Sequence, residues 1–307
     1  MPSRHKEADL SRVKKVKAAD RKNLVDRSMV GKTGEGFVNW LDNLPDILAA
    51  KGLRDLVGAL QVASERSRPA IWLLGGHVVK TGVTPYLIRF LEQGYASVLA
   101  MNGAVAIHDV EMALYGATSE DVAENLKDGS FGMIAETSDF FCAALEEGKR
   151  EGLGLGEVLG RRLAGLESAD LSLLAATWRL GRPATVHVSL GADIIHQHPE
   201  IHETDLGDLS LKDFRILVAC LGELDRESVV VNLGSAVMGP EVFLKALTVA
   251  RNLGSEASGF TACNMDMIQH YRPARNILHR PTAGGGKAIA LTGHHEIMIP
   301  LLDALLP

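Results

Sequence analysis

Two stretches decide the fold: Pro69-Ala-Ile-Trp-Leu-Leu-Gly-Gly-His-Val-Val-Lys-Thr-Gly82 and Ser97-Val-Leu-Ala-Met-Asn-Gly-Ala-Val-Ala-Ile-His-Asp-Val-Glu111. Each opens with an unbroken apolar run, passes through glycine-containing polar residues and continues into a helical pattern. An apolar run without alternation marks a strand buried on both faces, and parallel neighbours need a crossover helix between them. The carboxyl ends of such strands open onto the crevice where open α/β sheets bind ligands, so the site is expected to begin at these two turns.

The same alternation continues outward in both directions. Leu53, Leu56, Val57 and Leu60 repeat at helical spacing. Helices are expected over residues 140–149, 156–166, 171–180 and 211–224 and from Pro240, and strands over 184–189, 228–232, 260–263 and 288–291, with a last helix from about His295. This order predicts an α/β fold: a doubly wound, mainly parallel sheet with helices on both faces. The organisation reads as two parts, a basic arm and helical segment over 1–66 and one sheet domain over 67–307.

Arg4, Lys6, Arg12, Lys14, Lys15, Lys17, Arg21 and Lys22 crowd the first 25 residues, which predicts a solvated arm. Phe37, Trp40, Leu41, Leu44, Ile47 and Leu48 then recur at helical spacing. Residues 264–280 show no hydrophobic period and read as a long loop able to cover a site. A net charge of −6, with no basic stripe, argues against a nucleic-acid partner. Cys142, Cys220 and Cys263 are far apart and form no Cys-x-x-Cys pair, which excludes a disulfide framework or zinc knuckle and fits a reducing cytoplasm. No signal-like or membrane-length apolar run is expected.

No standard dinucleotide fingerprint is present. Gly152-Leu-Gly154-Leu-Gly156 lies between helices, and Gly284-Gly285-Gly286-Lys287 lacks the Ser/Thr and first glycine of a phosphate loop. Gly75-Gly76 and Gly234-Ser235 are better placed, each following a strand, as ordinary turns or as phosphate-approaching loops. Asn102, His108, Asp109 and Glu111 cluster after the second strand, with His108 and Glu111 on one helical face, suiting acid/base work or ribose binding, or else a capped helix with one buried histidine. Asp193, His196 and His198 follow one strand, and His294, His295 and Glu296 follow the last. The histidines suit proton transfer; the alternative is a metal-dependent hydrolase built on His196, His198, His294 and His295.

With these segments in place, residues 68–306 resemble deoxyhypusine synthase. Residues 73–90 resemble that family's strand, polar turn and helix; 98–114 its glycine-containing turn with an acidic helix start; 233–253 its glycine-rich loop and helix; and 287–302 its closing strand with Pro300-Leu301-Leu302. The segment Ala106-Ile107-His108-Asp109-Val110-Glu111 also resembles one in NAD-dependent ornithine cyclodeaminase and arginine dihydrolase relatives. The resemblance implies an NAD site in a homotetramer and chemistry on a small-molecule amine, a polyamine or an amino-acid-derived amine, through an imine. A non-catalytic NAD or polyamine binder is the other outcome it allows. By matching position, Gly76, His77, Thr81, Asn102, Gly103, Asp193, Gly234, Ser235, Asn264 and Asp266 would line the cofactor, with His108 or Glu111 near the amine; His108, Glu111 and His295 are the expected acid/base groups. The family's Trp-Gly-Lys segment is replaced by Asn276-Ile277-Leu278-His279-Arg280, which carries no lysine. Lys287 is the nearest substitute nucleophile, and Lys80, in a different turn, is a second.

Overall fold

The computed structural model describes residues 11, 13–27, 44 and 46–306. Its strands are β1 (Asn23–Asp26), β2 (Ala70–Leu74), β3 (Val98–Asn102), β4 (Ala117–Glu120), β5 (Ala184–His187), β6 (Val229–Leu233), β7 (Thr261–Asp266) and β8 (Lys287–Thr292). Its longer helices are α1 (Leu48–Glu65), α2 (Thr84–Gln93), α3 (Gly103–Tyr115), α4 (Ala135–Glu151), α5 (Leu155–Ala164), α6 (Leu173–Arg179), α7 (Glu203–Gly222), α8 (Met238–Asn252) and α9 (His295–Leu305).

Six strands form one sheet in the order β5-β3-β2-β6-β7-β8, every neighbouring pair parallel. Residues of a strand face opposite sides in turn, and here both sides are covered. Ile71, Leu73, Val98, Ala100, Val230 and Ala262 join Leu217, Phe243 and Leu247 in a core on one face. Trp72, Leu74, Leu99, Met101, Val231 and Met265 join Leu56, Leu60, Phe90 and Val105 on the other. The expected doubly wound α/β architecture is therefore present. From β2 the chain winds outward through β3 to β5, then returns to β6 on the opposite side of β2 and winds away through β7 to β8. The reversal falls between β2 and β6, the topological switch point of the sheet.

Three segments differ from the sequence reading. The basic arm is packed over 13–27: the Val16 amide donates to the Met133 carbonyl at 2.6 Å, β1 pairs antiparallel with β4, and Arg21 is buried. Ion pairs hold it as well, Arg21 with Glu111 and Glu120 and Lys15 with Glu200. The helix expected around Phe37 to Leu44 lies almost wholly outside the described residues, and Ile47 is extended ahead of α1. The loop expected over 264–280 is ordered structure: β7 runs to Asp266, and 271–282 is helical, with a π-wound stretch Ala274–His279 that buries Asn276, Ile277 and Leu278. Winding by i→i+5 has no 3.6-residue period, which hides it from a periodicity reading.

Two buried carboxyls tie helices to the sheet. Asp109 of α3 accepts from the Leu173 and Leu174 amides at 2.8 and 3.0 Å and from Ser172 Oγ at 2.7 Å, at the start of α6. Asp213 of α7 accepts from the Gly156 and Val186 amides at 2.8 and 2.7 Å, joining α5 to β5. Burial pushes Asp109 up to about 6 and Asp213 to about 7, against the lowering effect of these hydrogen bonds. Between the unfolded value of 3.8 and the folded value near 7, native Asp213 holds a proton that the unfolded chain has released, so its contribution to stability falls as pH rises through that window. Asp213→Asn keeps an acceptor and removes the titration. Urea unfolding from pH 4.5 to 7 is expected to show the variant's stability falling less steeply with pH than the native chain's, by about 1.4 kcal/mol per pH unit; parallel curves would disprove this linkage.

Candidate functional site

At the switch point two glycine loops meet. The Gly75 amide donates to the Leu233 carbonyl at 3.0 Å, and a Cβ on Gly75 would stand 2.0 Å from the Gly234 carbonyl oxygen. Gly234 adopts φ +65°, in the left-handed region that favours glycine, and a Cβ there would meet His295 Nε2 at 2.6 Å. Both positions are thus fixed by loop packing, and the amides of Gly75 and Gly234 are spent on the sheet ladder. The free donors come next along the chain: the amides of Ser235, Ala236 and Val237 make no hydrogen bond among the described residues. They precede α8, whose helix dipole favours an anion at this point. Ser235 Oγ accepts from the Gly239 amide at 2.9 Å and holds the loop to the helix.

His295, the first residue of α9, reaches the same crevice. It is 1% exposed and neither ring nitrogen has a partner, while the His77 ring lies 5.9 Å away. Burial lowers its pKa, countered in part by Asp266, so the ring is neutral and offers one donor and one acceptor. Beneath it, side chains at the ends of β6 and β7 form a polar ladder: Asn232 Nδ2 donates to Asn264 Oδ1 at 2.7 Å, Asn264 Nδ2 to Gln269 Oε1 at 2.7 Å, and Gln269 Nε2 to the Leu291 carbonyl at 3.1 Å.

A cavity of about 220 Å³ lies behind Gly76, lined among others by Arg21, Lys80, His108, Glu111, Glu120 and Asp193. A Cβ on Gly76 would touch Ala104 Cβ at 3.0 Å and His108 Cδ2 at 3.6 Å, so this glycine lets α3 pass between the two compartments. His108 Nδ1 lies 2.7 Å from Thr118 Oγ1, and Thr118 donates onward to Glu111 Oε2. Because the Thr118 proton is committed to Glu111, Nδ1 carries the hydrogen toward Thr118 and Nε2 is left as the acceptor. Burial lowers the His108 pKa, against the raising effect of Glu111, which keeps the ring neutral. For Glu111, burial alone would raise the carboxyl; the hydrogen bonding to His108 and the Arg21 charge outweigh it and hold the group at about 2. Arg21, with a side chain 1% exposed, pairs with Glu111 at 3.1 Å and Glu120 at 3.3 Å. Lys80 has its pKa lowered by burial, countered in part by Glu111 and Glu120.

The structure therefore gathers Gly76, His77, Gly234, Ser235, Asn264, Asp266 and His295 around the crevice, and His108, Glu111 and Asp193 around the adjoining cavity. Asn102 caps α3 through Val105, Thr81 donates to the Val78 carbonyl at 2.8 Å, and Gly103 lies under the Asp193 carboxylate; these three act as local supports. Lys287 is a correction. It begins β8, at the amino end of a strand whose carboxyl end faces the crevice, and its exposed side chain lies 3.9 Å from Asp55. The hydrolase cluster is a correction as well. His196 and His198 follow β5 and His294 and His295 follow β8, at opposite edges of the sheet, and no metal-holding group of three such side chains exists among the described residues. His198 Nε2 instead meets the Gly132 carbonyl at 2.8 Å. Reading the sequence missed Arg21, Thr118 and Asn232. Only Asn232 carried a signal, as a polar residue at the end of a β-branched run.

The fold is an open Rossmann-like sheet, with a candidate crevice at its switch point. The family model for the C-terminal Rossmann-fold domain of ArgZ-like arginine dihydrolase matches residues 55–134, the segment from α1 to the threshold of α4. Among solved structures the chain is similar to AgrE, determined in a ternary complex with ornithine and NAD+, at 14% identity and TM-score 0.52 over 82% of this chain and 32% of AgrE. It is also similar to an Entamoeba histolytica protein assigned as a deoxyhypusine synthase, at 11% identity and TM-score 0.54 over 84% and 88% of the two chains. A third likeness is to a conserved LOR/SDH protein of Methanococcus maripaludis S2, at 17% identity and TM-score 0.51 over 89% and 73%. At these identities the likeness is one of fold, and the chain spans about a third of AgrE's length. A search of curated proteins by sequence finds no match. No helix among the described residues is long and apolar enough to cross a membrane.

Removing Arg21 strands two buried carboxylates. Arg21→Met is expected to cost about 3–5 kcal/mol in urea unfolding at pH 7. The loss should shrink as pH falls and Glu111, without the guanidinium that holds it low, takes up a proton; a cost below 1 kcal/mol, or one independent of pH, would contradict the assignment.

Proposed function

We propose that the chain is an NAD-dependent enzyme that oxidises the carbon bearing an amine, giving an imine open to attack by water or by a second amine. The observation that carries this reading is the set of unused hydrogen-bonding groups at the switch point, three consecutive amides and both nitrogens of His295, next to a cavity holding a neutral histidine. A dinucleotide fits that set: its phosphates suit the Ser235–Val237 amides at the start of α8, and its polar ring substituents suit His295. AgrE, similar in fold, was determined with ornithine and NAD+, which supports the same pairing of ligands here. The likeness in fold to the assigned deoxyhypusine synthase is consistent with an enzyme, and a homotetramer is part of the same proposal.

NAD, held at the Ser235–Val237 amides and His295, would supply the hydride acceptor for oxidation of the amine-bearing carbon. His108 takes the proton that the substrate ammonium must lose first, at Nε2, because Nδ1 is committed to Thr118. Glu111 fixes that tautomer through the Thr118 hydroxyl and stabilises the imidazolium once it forms, the role a carboxylate plays beside a general base. Asp193 faces the cavity as the carboxylate that receives the substrate ammonium. His295 holds the ring end of the cofactor while excluding water from the crevice.

Calorimetry on protein stripped of bound nucleotide is expected to show NAD binding; the absence of heat with NAD would sink this reading. His108→Gln should retain NAD affinity and lose about 10²–10⁴-fold in amine-dependent NADH formation. The lowered His108 pKa places the acid limb of the native rate profile below pH 6.5, the ordinary histidine value; a limb above that value would remove His108 as the base.

A further inference from the structure

We infer that Lys80 selects the substrate by its carboxylate, so that the cavity behind Gly76 takes an amino acid and rejects a polyamine. This rests on the amine-oxidation reading above and narrows its substrate. The inference comes from asking which charges in the cavity wall remain uncommitted. Arg21 uses four of its five N–H groups: its guanidinium donates to Asn23 Oδ1 at 2.7 Å, Glu111 Oε1 at 3.1 Å, Glu120 Oε1 at 3.3 Å and Tyr115 Oη at 3.4 Å. Glu111 gives its second oxygen to Thr118. Glu120 also accepts from the Gly132 amide at 3.0 Å and from Asn125 Nδ2 at 2.7 Å. Both oxygens of each glutamate already accept a hydrogen bond, although their charge made them the obvious partners for a polyamine.

Two charges remain. The Lys80 ammonium makes no hydrogen bond or ion pair among the described residues, although it lines the cavity and is half-buried. Asp193 has one oxygen bonded to the Ser189 amide at 2.7 Å and the other without a partner among the described residues. A single cavity thus presents one free cation and one free carboxylate oxygen. An amino acid satisfies both, its carboxylate on Lys80 and its ammonium on Asp193. A polyamine is positive throughout, so it satisfies Asp193 and leaves Lys80 facing like charge in a partly desolvated place, an arrangement that specificity exploits as a repulsive element.

The test is equilibrium binding, by calorimetry on the full chain with and without saturating NAD. The probes are L-ornithine, L-lysine and L-arginine, each against its decarboxylated counterpart putrescine, cadaverine or agmatine. At least one amino acid is expected to bind about 10–100-fold more tightly than its counterpart, the span expected for one charge-assisted contact. Lys80→Met should erase that preference, whereas Lys80→Arg, which keeps the charge, should retain most of it, and circular dichroism checks that both fold. Tighter binding of any decarboxylated probe than of its parent, an unchanged preference in Lys80→Met, or no binding of any amino acid would overturn the assignment. The two readings fail separately. Absent NAD binding with an intact, Lys80-dependent preference sinks the cofactor reading alone, and NAD binding without the preference sinks the role of Lys80 alone.

Discussion

The close approach of Gly75 to Gly234 is the constraint on which the rest of the molecule depends. β2 and β6 lie side by side at the centre of the sheet, and a carbonyl oxygen of one loop occupies the space that a side chain on the other would need. That contact brings the ends of the two winding directions together, so the loop after β6, α9 with His295 and the turn after β2 share one crevice. A bulkier residue at either position would wedge the loops apart and dismantle the crevice with them.

Charge burial is the second organising element, and it connects the N-terminal segment to the chemistry. Glu111 could not stand ionised in the interior alone, because desolvation of a carboxylate costs several kcal/mol unless a partner is supplied. Arg21 is that partner, delivered by the N-terminal segment whose β1 pairs with β4. Holding Glu111 ionised in turn sets the Thr118 hydroxyl and the His108 tautomer. A residue remote in sequence thereby decides which nitrogen of a histidine is free.

The buried polar groups also divide by task. Asp109 and Asp213 bind backbone amides and hold α6 and α5 in place, at the cost of a raised pKa. The Asn232–Asn264–Gln269 ladder ties together the ends of strands that carry the crevice. His295, Lys80 and Asp193 differ from these in their place: they border the crevice and the adjoining cavity, and His295 has no partner at either ring nitrogen.

The sequence by itself determined the sheet. Apolar runs without alternation, each followed by a glycine turn and a helical period, leave parallel winding as the one arrangement that buries both faces, and they place Gly76, Gly234, His108 and Asp193 at strand ends. Only the tertiary structure decided which of those ends meet. Strand order is set by long-range packing and has no local signature, so Lys287 and the paired histidines after β5 and β8 looked adjacent to the chemistry until the sheet separated them. Arg21 and Thr118 were silent for the same reason: a basic residue in a basic run reads as solvated until the carboxylates that need it are brought 3 Å away. The π-wound stretch over residues 274–279 was hidden differently, by a backbone period that no sequence pattern of 3.6 or 2 residues can register.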